Sequence, residues 1–228
     1  MIKDKVIEVP FDVPNKEKVI HEVSKSYVLL KYNKPKPRQV IVAGDFDSMP
    51  ETLEGGLFKV TQTPEGVLYS SQDGAPGYQI ESNIFVDPDT QHLFTSAYNK
   101  IVEHHENVTG DFKLPGYQHS WFYISLPSND ESAYHEHTRF NETFPHDSTL
   151  YTWVYYLQLP DNCQGDEGML SFKEGDETFS LPIHLDTLYI FPSKLLHRPN
   201  LAPASTISRI TAAGNILLIG ASKSMISQ

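Results

Sequence analysis

Cysteine is nearly absent from the chain: Cys163 is the only one in 228 residues. That excludes an intrachain disulfide and a thiolate-based zinc cluster, and it suits a reducing compartment, so a cytoplasmic location is expected. Long apolar runs are missing too. The opening stretch, MIKDKVIEVPFDVPNKEK, carries no apolar segment of signal-peptide length. No run approaches the roughly 20 residues of a membrane span, and residues 216–221 form an apolar stretch of only strand size. No membrane partner is therefore expected. Positive charge is scarce: 18 Lys and Arg stand against 29 Asp and Glu, a formal net charge of −11. Such a chain is repelled by phosphate backbones, which disfavours nucleic acid as a partner. Internal repeats, low-complexity segments and clear linkers are absent as well.

What the chain has is apolar and aromatic mass. Hydrophobic residues make up 39% and aromatic residues 11%, with 12 Tyr and 12 Phe. Those residues favour strands and large cores, and the length fits one β-rich domain spanning 1–228. Residues 1–118 are expected to supply N-terminal strands and supporting helices, and 119–220 the core.

Within 1–90 the residues predict short strands at 6–13 and 39–42, loops at 48–56 and 72–77, and a short helix over 15–23. The clearest helix lies at 89–107. Leu93, Phe94, Ala97, Tyr98, Ile101 and Val102 form an apolar stripe. Asp87 and Pro88 supply an N-cap and a first-turn residue. His104 and His105 near its end are expected to be surface residues, since adjacent helical positions point about 100° apart and cannot chelate one ion together.

From residue 119 the pattern changes. Segments 121–126, 151–159, 169–172, 177–181, 187–191 and 208–219 are rich in Val, Ile, Tyr, Phe and Thr, and polar turns separate them. This predicts an antiparallel sandwich or barrel. Between two such strands sits His135-Glu136-His137. In an extended chain, residues i and i+2 face one side, so His135 and His137 can share an ion while Glu136 faces away. His197 follows the 187–191 strand and the turn at Pro192-Ser193. A sandwich can bring it beside the pair, giving a mononuclear metal site. Imidazole suits Fe(II), Zn, Cu and Ni, and three protein ligands leave coordination positions open.

The surrounding residues carry a resemblance. After His135-Glu136-His137 come Tyr151-Thr152-Trp153-Val154-Tyr155-Tyr156-Leu157 and Gly168-Met169-Leu170-Ser171-Phe172. Phe191-Pro192-Ser193-Lys194-Leu195-Leu196-His197, Arg209-Ile210-Thr211 and Gly214-Asn215 follow. In order and spacing, 121–215 resembles the Fe(II)- and 2-oxoglutarate-dependent oxygenases, above all a bacterial and phage branch that starts with H-x-H. Residues 1–118 add no recognisable motif.

The resemblance implies a mainly β fold with a few helices, a double-stranded β-helix of the jelly-roll, cupin-like kind. It assigns His135 and His197 to iron. His137 stands where most relatives have Asp, so a neutral imidazole replaces a carboxylate as the expected third ligand. Arg209, Tyr156, Thr211 and Tyr123 are assigned to 2-oxoglutarate; a guanidinium suits its distal carboxylate as a bidentate fork. Arg139 and Asn215 are expected to face substrate. The loop 139–149, with Asn141, Phe144 and His146, is expected to overhang the site, and 35–85 to add a wall. The implied cofactors are Fe(II) and 2-oxoglutarate. The implied reaction is hydroxylation of a C–H bond with O2, on a small molecule, amino acid or peptide. Oligomeric state is left open, a dimer among the options.

Two other readings compete. A cupin would share the β-helix, take Glu142 as a fourth ligand and give Arg209 no role, although Thr149 stands where its motif requires glycine. A non-catalytic jelly-roll module would instead use exposed aromatics such as Tyr117, Trp121 or Phe144 as a binding face.

Overall fold

In the strand Ser148–Gln158, Thr152, Val154 and Tyr156 alternate with Trp153, Tyr155 and Leu157, and all six are buried. Successive side chains in a strand point to opposite faces. A strand buried on both faces needs a layer over each. The computed structural model, which describes residues 2–32, 58–63, 66–71, 77–81, 87–111, 113–127, 132–137 and 148–220, supplies both layers.

The strands are β1 (Ile7–Pro10), β2 (Phe58–Thr63), β3 (Gly66–Ser71), β4 (Gly77–Glu81), β5 (Lys113–Ser125) and β6 (Ser148–Gln158). They continue as β7 (Leu170–Glu174), β8 (Glu177–Leu181), β9 (Thr187–Pro192), β10 (Leu196–Pro199) and β11 (Arg209–Gly220). The helices are α1 (Lys16–Tyr32) and α2 (Pro88–Thr109). Among the described residues, eight strands form one sheet in the order β1-β9-β6-β11-β5-β4-β3-β2, and β10-β7-β8 form a second. Every described pairing is antiparallel. The fold is mainly β with two helices and has the jelly-roll form.

Two cores follow from the alternation. On the outer face of the large sheet, Phe122, Ile124, Trp153, Tyr155, Ile190 and Ile216 pack with Leu93, Phe94, Ala97 and Tyr98 of α2. Trp153 is fully buried there, with ring centroids 6.0 Å from Phe94 and 5.8 Å from Tyr98. Between the sheets, Trp121, Val154, Tyr156, Tyr189, Phe191 and Ala213 meet Leu170 and Phe172. The candidate site opens into this inner layer.

Helix α2 starts where the sequence indicates. The Asp87 carboxylate accepts from the Asp89 and Thr90 amides at 3.1 Å each, Pro88 occupies the first turn, and Gly110 closes the helix at φ 72°. Other boundaries differ from expectation. Helix α1 runs on to Tyr32, and three strands lie within 58–81, where the sequence places only the loop at 72–77. The expected strand at 39–42 and loop at 48–56 lie outside the described residues, as does 72–76; residue 77 begins β4. No helix among the described residues is long and apolar enough to cross a membrane.

Candidate metal centre

The segment 132–137 runs alongside β10 and the turn before it. The His135 amide donates to the His197 carbonyl at 3.0 Å, and the His197 amide returns the bond at 2.9 Å. The His137 amide donates to the Ser193 carbonyl at 2.8 Å. Arg198 braces the segment from β10: its guanidinium lies 4.6 Å from the Tyr134 ring centroid and donates to the Ser132 carbonyl at 3.3 Å. Backbone pairing thus places His135 opposite His197, with His137 one pleat further along.

The three rings converge. Their centroids are 4.5 Å apart for His135 and His197, 5.1 Å for His137 and His197, and 5.4 Å for His135 and His137. One donor nitrogen from each lies within 4.8 Å of the others. His197 is buried against Phe172 and Phe191, His137 is half-buried, and His135 sits at the exposed rim. Trp121 lies parallel to the His137 ring, with centroids 5.7 Å apart and planes 10° apart.

The protein around the three rings strips water from their nitrogens, which favours the neutral form and lowers all three histidine pKa values, His135 included although part of its side chain stays exposed. His137 is brought down to about 3, by desolvation first and then by neighbouring His135 and His119. His197 falls well below the ordinary value for the same leading reason. Neutral imidazoles are the form that binds metal.

The donor set fits one metal ion. The Nδ1–H groups of His135 and His197 donate to the carbonyls of Ala133 (3.3 Å) and Leu195 (2.9 Å). A carbonyl only accepts, so both rings keep a bare Nε2. The Nε2 of His137 is buried without a hydrogen-bond partner among the described residues. Metal–imidazole bonds are about 2.0–2.1 Å, and His135, His137 and His197 would hold one ion, with the orphaned His137 Nε2 available as a donor.

At the far end of the same inner wall lies Arg209. It begins β11, where Arg209, Thr211, Ala213 and Asn215 share one face by alternation. Its side chain is buried and donates to the Asn200 carbonyl at 3.1 Å and the Ser125 hydroxyl at 2.8 Å, while Nε has no partner. No carboxylate pairs with it among the described residues. Burial lowers its pKa, and the Tyr156 and Tyr123 phenols push back. Tyr156 is enclosed, and burial raises its phenol against the opposing charge of Arg209. Thr211 pairs in register with Tyr156 on β6 and Tyr123 on β5, and its hydroxyl donates to the Tyr123 carbonyl at 3.3 Å.

Asn215, expected at the substrate, is only 2% exposed. Its amide meets the His137 ring at 3.0 Å and the Thr152 hydroxyl at 2.9 Å. Arg139, Glu142 and the 139–147 part of the overhanging loop lie outside the described residues. One surface expectation, that of His105, is corrected, and so is the exposed Trp121 that the non-catalytic module reading requires. Trp121 is buried against His137 instead of forming an exposed face. His105 is buried too, and its Nδ1 lies 3.0 Å from the Tyr151 hydroxyl. Sequence reasoning passed over Thr152 and Ser193, which gain meaning only once β6 lies beside β11 and β9.

No protein-family model matches the chain, and no curated protein matches it. Solved structures do. A prolyl hydroxylase from Trichoplax adhaerens, in complex with a hypoxia-inducible-factor oxygen degradation domain peptide, aligns with TM-score 0.56 at 13% identity. That alignment covers 100% of this chain and 89% of the other. A Pseudomonas putida prolyl-4-hydroxylase aligns with TM-score 0.50 at 11% identity, over 96% and 94%. The non-haem, alpha-ketoglutarate-dependent epimerase SnoN of nogalamycin biosynthesis aligns with TM-score 0.51 at 13% identity, over 93% and 78%. The chain therefore has the jelly-roll fold of the 2-oxoglutarate-dependent oxygenases. Its clustered His135, His137 and His197 fit an H-x-H metal site on that fold.

Proposed function

We propose that the protein is an Fe(II)- and 2-oxoglutarate-dependent dioxygenase that oxidises a C–H bond of a small molecule, amino acid or peptide. One observation carries this reading: the guanidinium of Arg209 is buried without a counter-ion among the described residues, on the same inner wall that approaches the three histidines. A buried charge with only neutral partners is costly. A dicarboxylate reaching from the metal ion to Arg209 relieves that cost at one end and completes the coordination at the other.

Each residue then has a task. His135, His137 and His197 hold the ion as neutral donors and leave positions open for 2-oxoglutarate and O2. Arg209 receives the distal carboxylate of 2-oxoglutarate. The Tyr156 phenol, kept protonated by burial, is a donor toward that carboxylate, and Thr211 and Tyr123 flank it. Trp121 shields His137 from water. Bound Fe(II) supplies the oxidation: 2-oxoglutarate, O2 and substrate R–H give succinate, CO2 and R–OH.

The hydroxylase and epimerase neighbours carry different chemistry on one fold, and hydroxylation is part of the proposal, to be read from product analysis. The test is succinate formation by Fe(II)-loaded protein across a panel of amino acids, peptides and small metabolites. Substrate-stimulated succinate release that disappears in Arg209→Ala supports the reading. Absence of 2-oxoglutarate consumption under every condition contradicts it.

A further inference from the structure

Two of the three histidines have their proton fixed by a carbonyl; His137 does not. Its Nδ1 lies 3.0 Å from Asn215 Nδ2, Asn215 Oδ1 lies 2.9 Å from Thr152 Oγ1, and Thr152 Oγ1 lies 2.8 Å from Ser193 Oγ. Asn215, Thr152 and Ser193 are all buried, at 1–2% exposure. The chain closes on itself, since the Ser193 carbonyl also accepts the His137 amide.

Such a chain has two self-consistent polarities. In the first, Ser193 donates to Thr152, Thr152 donates to Asn215 Oδ1, and the Asn215 amide donates to His137 Nδ1. The ring proton of neutral His137 then sits on Nε2, where the described residues offer it no acceptor. In the second, the amide is turned over. His137 Nδ1–H donates to Asn215 Oδ1, Asn215 Nδ2–H donates to Thr152, and Thr152 donates to Ser193. No hydroxyl or amide loses a partner, and His137 Nε2 is bare. An amide can present either end, and a hydroxyl has one proton to give in either direction. Only the second polarity lets His137 bind metal through Nε2 while its other nitrogen keeps a hydrogen bond.

We propose that Asn215, anchored by Thr152 and Ser193, is the positioning residue that sets the tautomer of His137 and so makes an imidazole serviceable where the resemblance expects a carboxylate. The proton count does not change between the two states; one ring proton moves from Nε2 to Nδ1 while the amide turns. This proposal rests on His137 being a metal ligand, but not on the 2-oxoglutarate reading.

The test uses the whole protein and Zn(II) or Co(II) alone. Metal affinity is measured for the parent, Asn215→Asp, Asn215→Leu, Thr152→Val and His137→Ala. Histidine tautomers are read by long-range proton–nitrogen NMR in the metal-free protein, where no ion fixes the ring proton. A carboxylate at 215 can only accept, so Asn215→Asp keeps Nδ1–H and binds Zn(II) at least as tightly as the parent. Asn215→Leu and the near-isosteric Thr152→Val weaken binding about 10- to 100-fold, the usual loss when a ligand's outer partner is removed. The His137 Nδ1 proton is expected in the parent and Asp spectra and absent from the Leu spectrum. Equal affinity in the Asp and Leu variants overturns the proposal, since only Asp can accept a hydrogen bond from His137 Nδ1–H. Unchanged affinity in His137→Ala also overturns it. Both results leave 2-oxoglutarate binding at Arg209 to be judged separately.

Discussion

Trp121 lies flat against His137, with ring centroids 5.7 Å apart and planes within 10°. It shares β5 with His119, whose ring centroid is 5.0 Å from the indole. The chain's other tryptophan, Trp153, is packed on the opposite face of the large sheet against α2. The two indoles therefore report on different layers.

A paramagnetic ion at the histidines is expected to quench Trp121 fluorescence and leave Trp153 untouched. Co(II) titration of Trp121→Phe should show no quenching, whereas Trp153→Phe should keep it. Equal quenching in both variants places the ion elsewhere.

The metal-free protein is expected to lose stability in acid. An unfolded histidine titrates near 6.5. The folded pKa values of His135, His137 and His197 are lowered, that of His137 to about 3. Between those values the unfolded chain binds protons that the folded chain refuses, so stability rises with pH across the window and its gain is complete above about 6.5. Chemical denaturation at about pH 7 and about pH 5 should show a drop that is smaller in His137→Gln. An equal drop in both contradicts desolvation as the cause.

Gly214 stands beside Asn215 where β11 meets β5 and β6. A Cβ there lies 2.6 Å from the His119 carbonyl oxygen and 2.8 Å from the Trp153 ring nitrogen. Neither neighbour can step aside, so Gly214→Ala should cost on the order of 1–3 kcal/mol or more in denaturant unfolding. Gly116→Ala meets only the Ile219 side chain at close range, near the strand end, and should cost less. Equal costs contradict a tight β5–β11 contact at Gly214.

The His105–Tyr151 bond ties the end of α2 to β6. Tyr151→Phe removes the partner of a buried ring nitrogen, and a loss of about 1–3 kcal/mol is expected. A double-mutant cycle with His105→Leu should show coupling between the two; strict additivity contradicts a direct bond.

Much of this was legible in the sequence. Strands β5, β6, β7, β8, β9 and β11 follow from segments rich in Val, Ile, Tyr, Phe and Thr, and the His135–His137 pair from a period of two; β10, with the sequence LHRP, carries no such signal. Helix α2 announced itself through Asp87-Pro88 and its stripe. That stripe extends by one more step of four, from Ile101 to His105, so the burial of His105 carried a signal that its pairing with His104 concealed. The strands at 58–81 had none as strong: FKVTQT and GVLYSS mix polar and apolar residues without clear alternation. The surroundings of Asn215 were invisible for another reason. Thr152 and His137 lie 63 and 78 positions away in the chain; the β6–β11 register brings Thr152 to Asn215, and the backbone bonds of 135–137 to His197 and Ser193 bring His137.

In the proposed enzyme one dicarboxylate joins Arg209 to the three-histidine centre. Equilibrium titration of 2-oxoglutarate into Co(II)-loaded protein, compared with the same titration of Arg209→Ala and of metal-free protein, tests it most directly. The expected result is saturable binding in the loaded parent that weakens at least about tenfold when either the guanidinium or the metal is removed, as befits a charge-assisted pair worth roughly 1.5–3 kcal/mol. Binding that is absent in the loaded parent, or unchanged in Arg209→Ala, contradicts it.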